Sequence, residues 1–393
     1  MQMTIHKITS ILLCVFLLLF AISGCADADD ENTLDVTASP SPSPVIDMPE
    51  SNGTSDDFSS GGIDFSSALA AFAPDAAMIT ADGFTVTWAD FFVFLFRPVA
   101  SLSQTYETGI DWAEEVDAGT TLADFVIEYV TEEAISFIVI EYGAKALDIS
   151  LSDNDFAKLS EDIDNLIEMY GSMEELEVSL RENGGFYSFD VFERLLKIEY
   201  TVGIIMVELY GENAESFSDD DVSEYALNND YMMAKHILIL SSEDDNDSAL
   251  KEIEEIQKQL RTHINDDDFF DIFDSMMHEH SEDSGGLLSS PDGYLFQPVD
   301  MVAPFSEACA ALEIGQISDI VETSYGYHII LRLPLDFDSV PIGIAGAGQS
   351  HTLRQLAAFD DFEGLSQEWR DSLNLVFSTE YSSLDLAAIF TWR

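Results

Sequence analysis

Residues 87–209 place apolar side chains at every third or fourth position, a spacing typical of amphipathic helices that pack on one another. Just before them, residues 78–86 are expected to form a small hairpin that turns at Ala81-Asp82-Gly83. Thr87 is expected to cap the first helix, and Arg97-Pro98 to end or kink it, because proline lacks the N–H of a helical hydrogen bond. Further helices are predicted over residues 122–147, 152–170, 173–182 and 188–209.

The pattern changes between Tyr231 and Arg332, where short β-branched and apolar runs alternate with helical spacing. The predicted order is a strand through residues 237–240, helices over 249–263 and 268–278, a Gly/Ser/Pro-rich loop over 281–293, a helix over 302–312 and strand residues within 321–331. This order predicts a small antiparallel-type sheet with helices on its faces. The predicted fold class of the chain is therefore α+β, with this sheet domain inserted in or following a mainly α-helical domain.

The net charge of the chain restricts the kinds of partner that it can bind. The 393 residues include 15 Lys and Arg against 75 Asp and Glu, a formal net charge of -60. Such a surface excludes a nucleic-acid partner bound through basic patches. The acidity is explained either by a heavily solvated surface or by attraction of cationic peptides or cations.

The first residues are typical of a targeting segment and are left out of the fold. Lys7 precedes an apolar run over residues 11–22, which ends in Ile22-Ser23-Gly24-Cys25. This tetrapeptide resembles the bacterial lipobox, which implies cleavage before Cys25, lipidation of its thiol and anchoring to the bilayer. The alternative is an ordinary secretory leader with a chance cysteine. In the lipoprotein interpretation only Cys309 keeps a free thiol, so no intramolecular disulfide is expected.

Composition also predicts the domain boundaries. Residues 26–74 are rich in Asp, Ser, Pro, Gly and Thr, and cannot bury enough apolar surface to fold. As a flexible tether they would reach about 40 Å. We therefore expect a signal peptide (1–25), a tether (26–74), a helical domain (75–229), a sheet domain (230–334) and a C-terminal helical segment (335–393).

Two histidines lie in the strand-like runs of the sheet domain. His236 is flanked by Ala234-Lys235 and Ile237-Leu238, and His328 by Gly326-Tyr327 and Ile329-Ile330. From the residues alone, each is either a hydrogen-bonded core group or a functional one.

Five motifs in order make the whole of this domain resemble the parvulin-type peptidyl-prolyl isomerases. They are Ala234-Lys235-His236-Ile237-Leu238, Ser281-Glu282-Asp283-Ser284, Met301-Val302-Ala303-Pro304-Phe305, Gly315-Gln316-Ile317-Ser318 and Gly326-Tyr327-His328-Ile329-Ile330. The layout of leader, helices and sheet domain is similar to that of PrsA/SurA-like extracytoplasmic foldase lipoproteins. The resemblance implies location outside the cytoplasm and attachment to a bacterial cell membrane. It also implies that residues 75–229 form a foldase or chaperone domain and that the C-terminal segment (335–393) packs on it.

The resemblance also implies roles for individual residues. The implied catalytic residues are His236, Asp283, His328 and Thr323, and the implied substrate-binding residues are Met301, Phe305 and Phe296. Rotation about an X-Pro bond breaks no covalent bond, so no cofactor and no metal are expected. The implied partners are unfolded or proline-containing secreted polypeptides, and the lipid bilayer through Cys25.

One departure from the family leaves a second function open. Parvulins commonly carry Gly-Gly-Asp-Leu-Gly before an aromatic residue, whereas this chain has Ser290-Pro291-Asp292-Gly293-Tyr294-Leu295-Phe296, so the apolar residue expected at the lip of the pocket is displaced. The chain is therefore either an active isomerase or a non-catalytic holdase with an inactive parvulin module. Phe91, Phe92, Phe94 and Phe96 are either partly exposed, as a holdase needs, or surrounded by several helices.

A third hypothesis, a metal-binding lipoprotein scaffold, depends on the acidity and on His278-Glu279-His280. The alternative for that tripeptide is a solvated helix end, because no further ligands follow at a suitable spacing.

Overall fold

The structure, a computed structural model, describes residues 59–60, 62–106, 109–242, 245–345 and 351–392. The predictions for Cys25, the signal peptide and most of the tether lie outside these residues. The chain divides into two compact units, unit 1 (Met1–Ile205 with Glu363–Arg393) and unit 2 (Met206–Phe362). No helix among the described residues combines the length and the apolar character that a membrane span requires.

The chain up to residue 210 is mainly helical. Its elements are β1 (Ser59–Ser60), β2 (Ile63–Asp64), α1 (Phe65–Leu69), β3 (Ala77–Ala81), β4 (Phe84–Thr87), α2 (Trp88–Thr105), β5 (Glu115–Asp117), β6 (Thr120–Thr121), α3 (Leu122–Ala146), α4 (Asp153–Tyr170), α5 (Met173–Gly184) and α6 (Phe189–Tyr210). Mixed helices and small antiparallel sheets confirm the α+β class.

Residues 219–345 contain the larger sheet. The elements are α7 (Asp219–Asn228), β7 (Met232–Leu240), α8 (Asn246–His263), α9 (Phe269–His280), α10 (Ser284–Ser289), β8 (Tyr294–Phe296), a 3-10 turn (Pro298–Asp300), α11 (Ala303–Ala310), β9 (Val321–Glu322), β10 (Gly326–Leu333) and α12 (Ile342–Ala345). The chain ends with α13 (Leu353–Ser372), β11 (Val376–Phe377), α14 (Thr379–Ser382) and α15 (Leu386–Ile389).

Local sequence signals explain where the helices of unit 1 begin. The predicted hairpin pairs β3 with β4, and Asp82 and Gly83 both have positive φ (49° and 97°), as a tight hairpin turn requires. Thr87 caps α2 as predicted: its hydroxyl accepts the N–H of Asp90, and the Asp90 carboxylate accepts the N–H of Thr87. Ser152 and Asp155 form the same reciprocal cap on α4.

The aromatic run of α2 is buried, so its packing favours the second of the two explanations above. Phe91 and Phe92 have no exposed surface and Phe96 is 4% exposed, while the Phe94 ring lies 4.8 Å from that of Phe137. Pro98 does not end the helix, which continues to Thr105. Buried side chains on both sides of Pro98 hold the helical turn that the missing N–H weakens.

The C-terminal residues of unit 1 extend the β3–β4 hairpin to a three-stranded sheet. β11 pairs with β3, giving the order β11-β3-β4. Arg370 donates to both carboxylate oxygens of Glu132 at 2.7 Å. Within the predicted C-terminal helical segment, α13 is one continuous helix from Leu353 to Ser372.

Unit 2 is built on an antiparallel sheet in the order β8-β7-β10-β9. One face carries Ile237, Ile239 and Ile329, which pack with Ile253 of α8 and Phe273 of α9. The opposite face carries a second apolar cluster of Met232, Ala234, Phe296, Phe305, Cys309 and Ile330. The predicted loop over 281–293 contains the short helix α10, which Asp283 caps.

Candidate functional site

Strand alternation places the two predicted histidines on the same face of the unit 2 sheet. His236 lies opposite Ile330 and His328 lies opposite Leu238 in the β7–β10 pair, so the histidines are diagonal neighbours. Their Nδ1 atoms are 3.2 Å apart. The side chains are largely buried, at 9% and 3% exposure, and are therefore core groups that share a hydrogen bond.

Asp283 lies against the outer edge of the first histidine. The segment that carries it is fixed to β7, because the Leu238 N–H donates to Ser281 Oγ and the Glu282 N–H donates to the Leu238 carbonyl. Asp283 Oδ2 is 2.8 Å from His236 Nε2. Asp283 Oδ1 accepts the N–H of Gly286 at 3.0 Å, which caps α10.

Thr323 lies at the other end of the pair. Its hydroxyl oxygen is 2.8 Å from His328 Nε2, and it also accepts the N–H of Tyr325 at 3.1 Å. The structure thus joins the four predicted catalytic residues in one row of hydrogen bonds, in the order Asp283, His236, His328, Thr323.

Tyr294 is a member of the site that the sequence motifs did not indicate. Its hydroxyl donates to Asp283 Oδ2 at 2.7 Å, and its ring meets that of His236 edge-on. β8 pairs Tyr294 with Ala234, two residues before His236 and on the same face. That alternation could have identified the residue if the pairing of β8 had been known.

The protonation states follow from burial and hydrogen bonding. Burial, helped by the neighbouring His236, lowers the pKa of His328 to about 4, so this ring is neutral at pH 7. Hydrogen bonds from His236, Tyr294 and Gly286 hold the pKa of the Asp283 carboxyl well below its usual range. Burial and the same carboxylate raise the pKa of Tyr294. At neutral pH an anionic carboxylate therefore faces a neutral phenol and a neutral distal histidine.

The predicted apolar residues pack directly against the histidines. The Phe305 ring lies 5.2 Å from the His236 ring and 5.6 Å from the His328 ring, edge-on to both, and 5.8 Å from the Phe296 ring. Met301 is partly buried on the same cluster. Phe305 is only 2% exposed and Phe296 is fully buried, so both side chains support the histidine rings from the interior of the domain.

A cavity opens at the carboxylate end of the row. Its lining includes His236, Asp283 and Tyr294 on the polar side and Met277 and Leu287 on the apolar side. The wholly buried Phe296 and Phe305 do not line it. Leu287, on α10, gives this cavity an apolar residue despite the altered loop that follows.

The arrangement suits chemistry without bond cleavage. Rotation about an X-Pro bond has a barrier of about 18–20 kcal/mol, and a site lowers it by stabilising the twisted amide. Apolar surface and buried rings exclude water from such an amide, and a fixed carboxylate sets the local field. His278 and His280, the histidines of the metal-binding hypothesis, lie in the last turn of α9. Across the described parts of the chain, no group of three or more His, Cys, Asp or Glu side chains could hold a metal ion.

Comparison with known proteins agrees with this geometry. Residues 236–333 match the family model "Rotamase: PPIC-type PPIASE domain". The chain is 29% identical over 174 residues to "Foldase protein PrsA" of Geobacillus sp. (strain WCH70), covering 44% of this chain and 54% of that protein. It is 30% identical over 186 residues to "Chaperone SurA" of Methylococcus capsulatus, covering 45% of this chain and 32% of that protein.

The chain thus spans about half the length of the curated PrsA relatives it matches. Among solved structures it is similar to PrsA from Bacillus cereus, with a TM-score of 0.31 and 17% identity over 69% of this chain and 96% of that one. The family match contains both histidines, Asp283, Thr323 and the apolar residues between them. Residues 236–333 therefore belong to the PPIC-type, or parvulin-type, peptidyl-prolyl isomerase family, which confirms the prediction from the motifs.

Proposed function

We propose that this chain is a foldase whose unit 2 catalyses cis-trans isomerisation of X-Pro bonds in unfolded or secreted polypeptides. The observation that carries the proposal is the continuous row Asp283, His236, His328 and Thr323, packed edge-on against Phe305. This row lies within the residues that match the isomerase family.

In the proposed mechanism, the protein lowers the barrier by positioning and electrostatics alone. The proline ring would contact apolar surface near Met301, and the amide before it would lie over the histidine pair. Loss of water from this amide favours the twisted state, in which conjugation is lost. The neutral His328 avoids placing a cation under the amide, and ionised Asp283 holds the ring of His236 in one orientation.

A proline-limited refolding assay with the full chain tests this proposal. His236→Ala and Asp283→Asn should each reduce kcat/KM by about tenfold or more, equivalent to ~1.4 kcal/mol of transition-state stabilisation. The matched control is His263→Ala, which removes an exposed His263–Asp266 pair of similar geometry (2.7 Å). Unchanged catalysis in both site variants would refute the assignment.

We further propose that Cys25 is lipidated and holds the protein outside the cytoplasm on the bacterial cell membrane. The lipobox-like Ile22-Ser23-Gly24-Cys25 and the tether that follows support this proposal. Cys25→Ala should move the protein from the membrane fraction to the soluble fraction. Retention of the variant in membranes would exclude a lipid anchor at this residue.

A second candidate function is holding of unfolded chains without catalysis. It is favoured by exposed apolar side chains on α4 and α5: Phe156 is 47% exposed, Met169 55% and Val178 42%. Exposed apolar surface of this kind is typical of sites that bind other polypeptides.

A further inference from the structure

Asp283 accepts more hydrogen bonds than the histidine pair requires. Its Oδ2 atom accepts from both Tyr294 (2.7 Å) and His236 (2.8 Å), and its Oδ1 atom accepts from the Gly286 N–H. The titratable groups that face this carboxylate are thus His236 from β7 and Tyr294 from β8. Three donors converge on one partly buried anion, an arrangement that favours the ionised acceptor.

The contact between Tyr294 and Asp283 depends on a glycine. A Cβ atom at Gly286 would lie 1.9 Å from the Tyr294 hydroxyl oxygen and 2.4 Å from Asp283 Oδ2. Only a residue without a side chain leaves room for the phenol to reach the carboxylate. α10 and β8 therefore fit together at this point, and the hydroxyl contact is a built feature of the site.

The row of hydrogen bonds can run in either of two directions when both rings are neutral. If Asp283 only accepts, His236 donates from Nε2, His328 donates from Nδ1 to His236, and Thr323 donates to His328. The opposite direction would need a donor in place of the carboxylate, with each of these bonds reversed and both imidazoles in the other tautomer. The state of one carboxylate therefore sets the tautomer of two rings.

We propose that Tyr294 is a positioning residue that fixes the direction of this row by donating its hydroxyl proton to Asp283. The proposal rests on the proposed isomerase function, which it deepens by adding a residue that acts through Asp283. The loop around Tyr294 is also where this chain departs from the parvulin pattern. Tyr294 thus holds Asp283 in position next to the loop that lacks the expected apolar residue.

The test is Tyr294→Phe in the full chain, which removes one hydroxyl and keeps the ring. Nitrogen-15 NMR of histidine-labelled protein identifies which nitrogen of His236 and His328 carries the proton as the pH falls. In the variant, the pH at which the starting tautomers are lost should rise by roughly one unit, which is the effect of one hydrogen bond to a charged group. At pH 7, where Asp283 stays ionised, kcat should fall several-fold with KM unchanged, because the carboxylate loses one of the donors that hold it against His236.

The control is Tyr210→Phe, which removes another tyrosine–carboxylate hydrogen bond of unit 2, that to Asp361 (2.8 Å), outside the site. Gly286→Ala, whose Cβ would displace both the phenol and Asp283 Oδ2, should give a shift at least as large as that of Tyr294→Phe and serves if that variant does not fold. A titration that superimposes on the wild type, or a change in KM alone, would overturn the positioning role. Because NMR needs no turnover, an inactive wild type would refute the proposed function without deciding the role of Tyr294.

Discussion

Glu199 of α6 is a buried carboxyl group that the proposed mechanism does not use. It is 8% exposed, and its Oε1 atom has no hydrogen-bond partner among the described residues. Burial raises the pKa of Glu199 to about 7, against about 4.3 in an unfolded chain. Because the folded state keeps the proton that the unfolded state releases, stability falls as the pH rises from about 4.3 to 7.

Glu199→Gln removes this ionisation and should therefore stabilise the protein at high pH. Chemical denaturation at pH 5 should give similar free energies of unfolding for variant and wild type, whereas at pH 8 the variant should gain on the order of 1–3 kcal/mol. Glu208→Gln makes the same change of charge at an exposed position of the same helix. An equal difference at both pH values would show that Glu199 is not buried in the neutral form.

At the scale of single residues, what could be predicted depended on the range of the interaction. His236 and His328 could be placed on strands from their apolar neighbours alone. Tyr294 could not be assigned to the site, because its contact with Asp283 depends on the pairing of β8 with β7 and on the short helix that Asp283 caps. These are long-range features that a local pattern does not contain.

At the scale of elements, α3 and α13 meet closely at one glycine of unit 1. A Cβ atom at Gly143 would lie 2.2 Å from the ring of Trp369, which is 8% exposed. The ring therefore occupies the space of a missing side chain, and the two helices pack closely there. Helix propensity alone would favour alanine at this position.

Gly143→Ala should destabilise the protein by about 1–3 kcal/mol, because overpacking outweighs the gain in helix propensity. Gly203→Ala is the matched control: it lies inside α6 with no atom within 4 Å of its added Cβ. This control should stabilise by up to about 1 kcal/mol. Thermal unfolding measures both, and a higher midpoint for Gly143→Ala would contradict the packing described.

Helix caps and tight turns could be predicted because hydrogen bonds between nearby residues determine them. The caps at Thr87 and Ser152 and the turn at Asp82-Gly83 satisfy backbone groups within a few residues. The helix does not end at Pro98, and the predicted loop over 281–293 contains α10, because tertiary packing or a side-chain cap opposes local propensity at these positions. α7 was missed, although Ser218 before three aspartates is a local helix signal.

At the scale of the whole molecule, the chain brings two kinds of surface into one polypeptide. Unit 2 contains the polar row under a small cavity, while α4 and α5 of unit 1 expose apolar side chains. The sequence predicted both kinds of element but not which apolar side chains stay exposed, since that depends on how many helices surround each one. The sequence left open whether the phenylalanines of α2 are exposed; they are largely buried, whereas Phe156, Met169 and Val178 are among the exposed apolar side chains.

Isomerisation and holding of unfolded chains should therefore be separable by mutation of the full chain. Replacing Phe156, Met169 and Val178 together with serine should weaken suppression of aggregation of an unfolded client, because less apolar surface remains to bind it. The same variant should keep its rate in the proline-limited refolding assay, while His236→Ala should show the opposite pattern. Light scattering with a proline-free client isolates the holding activity. If the triple variant suppresses aggregation as well as the wild type does, the exposed residues of α4 and α5 do not bind unfolded chains.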